Sequence, residues 1–97
     1  MPIIDYIPAA TAAAAGLGVS PSSDKNSLTF AVTGTLAAGE EIAIEYQDAA
    51  GNWQALVENG VPVVLSADNN MVSTDKPAIY RANKPITAAA AGVTVYR

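Results

Sequence analysis

Acid–base and nucleophilic catalysis near neutral pH draws mostly on His and Cys, and this chain contains neither. Carboxylates and hydroxyls remain. Glu40, Glu41 and Glu45 lie close together, and two acids suffice for glycoside hydrolysis. On a strand, however, Glu41 and Glu45 share a face opposite to Ile42, Ile44 and Tyr46, which places them in water. A solvated face therefore outweighs an acid–base pair. The Ser-rich piece from Ser20 to Ser23 has no base beside it and reads as loop hydroxyls. Asp68, Asn69, Asn70 and Asp75 offer the oxygen ligands that hard cations take, but their spacing matches no calcium loop, and turn formation accounts for them. Gly16-Leu17-Gly18 lacks the third glycine and the strand-to-helix setting of a phosphate cradle. Trp53, beside a turn, could stack on a sugar or anchor an interface; its alternation with Ala55 and Val57 points it into a core instead. No catalytic, cofactor-binding or metal-binding residue is assigned, no cofactor is expected, and the chain is read as not an enzyme.

The elements that would position any site are bounded by length. At 97 residues the chain holds one domain. Hydrophobic residues make up 51%, yet much of that is Ala, so Trp53, Phe30, the four Tyr and the Val, Ile and Leu residues must pack the core. Such a lean core gains from association with a partner or with copies of itself. A net charge of -4 with five Lys and Arg opposes nucleic-acid binding, which depends on neutralised phosphates. Lys76, Arg81, Lys84 and Arg97 read as a solvated or interface-facing set. The lack of Cys removes disulfide stapling. Met1 to Asp5 has no basic segment ahead of an apolar one, and the Ala-rich run from Ala9 to Ala15 is too short for a signal core or a membrane span. Cytosolic synthesis and no membrane contact are expected.

Residues 1–26, punctuated by Pro2, Pro8, Gly16, Gly18 and Pro21, read as an N-terminal arm and loop; residues 27–97 read as the folded domain. Thr11 to Val19 nearly repeats as Thr87 to Val95, but the flanks differ, so similar low complexity explains it better than duplication. Four Ala ended by Gly are too short for a helix and are expected to be extended or turned, letting another backbone come close. From Ser27 onward the period is two: Leu28, Phe30 and Val32, then Ile42, Ile44 and Tyr46, then Trp53, Ala55 and Val57. Asp48 to Asn52 supplies turn chemistry for a hairpin, and Asn59-Gly60 a second reversal. Val61 to Leu65, Met71 to Thr74, Ile79 to Asn83 and Gly92 to Tyr96 complete about seven short strands. That spacing predicts an all-β antiparallel sandwich.

Asp75-Lys76-Pro77-Ala78-Ile79-Tyr80 resembles the tyrosine corner of immunoglobulin-like sandwiches, with Tyr80 bonding back across the preceding loop. The stretch Glu45 to Gln54 is similar to a hairpin of that class. More widely, Leu28 to Val95 resembles small head decoration or cement proteins of tailed bacteriophages. The resemblance implies a non-enzymatic virion structural protein, assembled in the host cytoplasm, that binds the major capsid protein on the capsid surface and stabilises the shell. It also implies a homo-oligomer, with a trimer favoured. Ile3, Ile4, Tyr6 and Ile7 are the candidate partner-binding residues, anchoring the arm on a neighbour; deleting residues 1–10 is then expected to abolish particle binding and leave the sandwich folded. The alternative is a carbohydrate- or cell-surface-binding module of a phage fibre or tail.

Overall fold

The computed structural model describes residues 2–21 and 27–97, with the side chains of Pro2 and Ile4 outside the description. Every regular element among the described residues is a strand: β1 (Pro2–Ala10), β2 (Ala14–Ala15), β3 (Leu28–Gly34), β4 (Glu41–Gln47), β5 (Trp53–Ala55), β6 (Val57–Glu58), β7 (Val61–Pro62), β8 (Val64–Ser66), β9 (Met71–Thr74), β10 (Tyr80–Lys84) and β11 (Ala91–Tyr96). All pairings are antiparallel. The first sheet runs β1-β11-β3-β9; the second runs β2-β10-β4-β5, with β8 pairing the first half of β4, and β6-β7 form a separate ribbon.

Inward positions of both sheets meet in one buried cluster. Leu28, Phe30, Val93 and Val95 come from the first sheet, and Ile42, Ile44, Leu65, Tyr80 and Ala82 from the second. Burying one such large side chain is worth about 1.5–3 kcal/mol, so the alternation in β3, β4, β10 and β11 is what specifies which face is core. Tyr80 crowns this cluster. Its ring is buried, its hydroxyl donates to the Lys76 carbonyl at 2.8 Å, and it accepts from Thr74 Oγ1 at 3.1 Å. The two expected reversals form as turns. Asp48 N–H donates to Asn52 O at 2.8 Å to close the β4–β5 hairpin, and Asn59 and Gly60, with φ of 54° and 79°, close β6–β7 in the left-handed pair that suits a two-residue hairpin.

The strand pattern is finer than the expected seven. The run beginning at Trp53 breaks at Leu56, which is buried and donates its N–H to Ile44 O at 3.0 Å; Val63 N–H then donates to Leu56 O at 2.8 Å. Leu56 takes the buried position, while Ala55 and Val57 on either side of it are exposed.

The N-terminal segment differs more from expectation. Residues 2–10 are not an arm: they form β1 at the edge of the first sheet, paired with β11. Ile3 and Ile7 oppose Val95 and Val93, and the pairing register shifts twice between Ile3 and Ala10. Asp5, with φ of 57°, lies within the first irregularity. These bulges turn Ile7 into the core, where it is 2% exposed. Gly92 is required beneath them, since a Cβ there would sit 2.2 Å from the Ile7 carbonyl oxygen. The two Ala-rich blocks also meet, Thr87 N–H donating to Thr11 O at 2.9 Å. Residues 2–21 thus belong to the same folded body as residues 27–97.

Truncating Ile7 to Ala should cost about 3 kcal/mol of unfolding free energy in urea titration, as for other buried aliphatics. Tyr80→Phe should cost about 1–2 kcal/mol, because the Lys76 carbonyl and Thr74 hydroxyl lose a buried partner.

Candidate functional site

The outer face of the second sheet follows from the inner one. Tyr80, Ala82 and Lys84 of β10 and Ile42 and Ile44 of β4 point inward, so Arg81, Asn83, Glu41, Ala43, Glu45 and Gln47 point out. Cross-strand register then fixes their neighbours: Glu45 opposes both Arg81 and Ala55, and Gln47 opposes Trp53. Trp53 is therefore on the outer face, not in the core as its alternation with Val57 predicted. The kink at Leu56 carries the inward role.

On that face Arg81 Nε donates to Glu45 Oε1 at 2.6 Å, the two side chains being 23% and 17% exposed. The Arg81 guanidinium also lies over the Trp53 ring, 4.5 Å from its centroid. Arginine suits this double role, because its planar group stacks while its edge donates. The stack holds the indole half-buried against the sheet. Gly18 permits the close packing beside it: a Cβ at that position would lie 2.8 Å from Ile79 Cγ2 and 3.2 Å from Trp53 Cη2. Segment 16–19 is held along β10, with Gly16 N–H donating to Ala82 O at 2.9 Å and Val19 N–H to Tyr80 O at 2.8 Å. Around the stack, Ile79 and Leu17 stand 43% and 84% exposed.

The acids considered for catalysis separate into unrelated tasks. Glu41 is exposed. Glu45 is ion-paired with Arg81 and not simply in water. Glu40 bridges two loops, accepting from Ala37 N–H and Ala88 N–H, each at 2.8 Å. These bonds, first from Ala37 and then from Ala88, with the charge of Lys84 adding, hold the Glu40 carboxyl below its ordinary pKa. Asp48 does the same for the β4–β5 turn. It accepts from Asn52 N–H at 2.9 Å, Gln54 Nε2 at 3.0 Å and Ala50 N–H at 3.0 Å, and the Asn52 bond leads the lowering of its pKa. Asn69 likewise serves a turn, donating from its N–H to Ser66 Oγ at 3.1 Å and from Nδ2 to Val64 O at 3.1 Å. No group of three His, Cys, Asp or Glu side chains gathers among the described residues.

The residues proposed to anchor an arm sit within the fold. Ile7 is in the core, Ile3 packs against it half-buried, and the side chain of Ile4 lies outside the described residues. Tyr6 meets Phe30 edge to face at 6.1 Å and donates its hydroxyl to the Leu17 carbonyl. Ile7, fully within the core, has no apolar area left to offer a neighbour. Lys84 was grouped with the surface cations, yet it is 1% exposed and donates from Nζ to Ala12 O at 2.6 Å and Pro85 O at 3.3 Å. Its parity with Tyr80 and Ala82 was the signal for that inward direction.

Comparison with known proteins returns nothing: no family model matches the sequence, and neither curated proteins nor solved structures yield a match.

A carboxylate whose folded pKa is depressed stabilises the fold above its unfolded pKa, near 4 by rough reference values, and loses that contribution as pH falls through the folded value. The denaturation midpoint should therefore hold from neutrality to about pH 5 and drop below about pH 4. Glu40→Gln and Asp48→Asn should each lower the neutral midpoint and flatten the acid-side drop.

Proposed function

We propose that this chain is a non-enzymatic structural protein that decorates a bacteriophage capsid, binding the major capsid protein through the outer face of the second sheet. The observation that carries the docking face is the stacked Trp53, Arg81 and Glu45 with Ile79 and Leu17 exposed beside them. Trp and Arg are the residue types that dominate interface energetics, and they act from packed positions ringed by apolar contact. The stack arrives already ordered, so less side-chain entropy is lost on docking. The capsid as partner comes from the sequence resemblance. Non-enzymatic action accords with Glu40, Asp48 and Glu45 being held in a loop bridge, a turn and an ion pair.

An immunoglobulin-like sandwich is the architecture we propose for this role. The Tyr80 hydroxyl reaching back four residues to the Lys76 carbonyl supports it. One departure stands against a close match: in the constant-type arrangement the last strand joins the C and F strands, whereas β11 lies between β1 and β3. A sugar-binding module is the weaker reading, because Arg81 already covers one face of Trp53.

Cosedimentation with assembled bacteriophage capsid shells tests the proposal. Wild-type protein should pellet with the shells, and Trp53→Ala with Arg81→Ala should lower occupancy at least about tenfold, as for loss of a central anchor. Undiminished binding by the double variant would contradict the assigned face; no binding by wild type, with capture on a glycan array, would contradict the function.

A further inference from the structure

We propose that the chain forms a two-fold dimer by pairing β9 with β9 of a second copy along the open edge of the first sheet. The inference is independent of the capsid reading, because it uses the other sheet and needs no foreign partner.

The two edges of that sheet are built differently. At one end, β1 carries Pro2 and Pro8, which cannot donate, together with Asp5 at positive φ and two register shifts. These are the devices by which natural proteins prevent edge-to-edge pairing. At the other end, Met71-Val72-Ser73-Thr74 has no proline and no charge, and its register with β3 runs without a break. Only β3 pairs with it among the described residues.

The hydrogen-bond phase of this edge is known. Val32 N–H donates to Asn70 O at 2.9 Å, so positions 70, 72 and 74 bond toward β3, and the backbone groups of Met71 and Ser73 aim off the sheet. An identical strand running antiparallel presents the matching donors and acceptors, which suits a two-fold axis.

Charge permits a second copy here. The chain carries -4 overall, so two copies repel over most of their surfaces. The outward positions of β3 and β9 are Thr29, Ala31, Thr33, Met71 and Ser73, a strip with no charge, along which like-charged bodies can meet. Alongside β9 lies an open groove of about 510 Å³ lined by Val61, Val63, Val64 and Val72, with Glu58 on the ribbon. A second β9 brings its own inward-facing Val72 to this groove. Met71, 56% exposed, joins the contact from the outer side.

Pairing would fuse two four-stranded sheets into one continuous sheet ending in a guarded β1 on both sides. Growth then stops at two copies, in place of the trimer that the resemblance implies.

Sedimentation velocity and light scattering on the full chain across a concentration series test this. The expected species is a dimer of the 9.9 kDa chain, and both Met71→Lys and Ser73→Pro should shift it to monomer with the far-ultraviolet spectrum unchanged. The proline removes an outward N–H while sparing the β3 ladder. Should Ser73→Pro unfold, Met71→Lys alone decides, because it alters an exposed side chain. A wild-type monomer throughout the series, or an oligomer indifferent to Met71→Lys, would overturn the proposal.

Discussion

The first sheet closes only when β11 enters between β1 and β3. Val93 and Val95 are then fully buried, with Ile7 against one side and Phe30 against the other. The two ends of the chain are thereby neighbours, and the core is incomplete until the last residues are in place. Such non-local pairing is slow to form, since loop closure precedes any reward from contact. The close approach it demands explains Gly92 under the β1 backbone, where a Cβ would meet the Ile7 carbonyl oxygen.

That closure divides the polar residues by task. Sheet edges and loops leave backbone donors in need of acceptors, and Glu40 supplies them to Ala37 and Ala88 and Asp48 to the β4–β5 turn. Lys84, facing inward from β10, donates to the carbonyl oxygens of residues 12 and 85. Arg81, one residue earlier, faces outward and meets Trp53 and Glu45. The inner face of the second sheet thus supports the fold, while its outer face holds the stacked group of Trp53, Arg81 and Glu45.

Strands with an uninterrupted period of two were legible in the sequence: β3, β4, the β4–β5 hairpin, the Asn59-Gly60 reversal and the corner at Tyr80 all rest on local rules. Places where the period breaks were not. Two register shifts in β1 disguise a core strand as an irregular arm, because Ile3 and Ile7 read as sharing a face with Asp5. Trp53 opposes Gln47 and Ala55 opposes Glu45 on the outer face, so Leu56, of the opposite parity, takes the core position expected of Trp53. Lys84 departs from expectation for a different reason: a lysine by type belongs at the surface, whereas the alternation through Tyr80 and Ala82 directs this one inward. The candidate site was accordingly present in the sequence as Glu45, Trp53 and Arg81, but their shared face depends on cross-strand register that only the fold supplies.

Hydrogen exchange of the chain, measured alone and bound to capsid shells, reports most directly whether the outer face of the second sheet is the docking surface. Binding should add protection at residues 15–19, 53–55 and 79–83 and leave β1 unchanged, because β1 is already ordered against β11. Added protection confined to residues 2–10, with no change around Trp53 and Arg81, would contradict this and restore the N-terminal segment as the docking element.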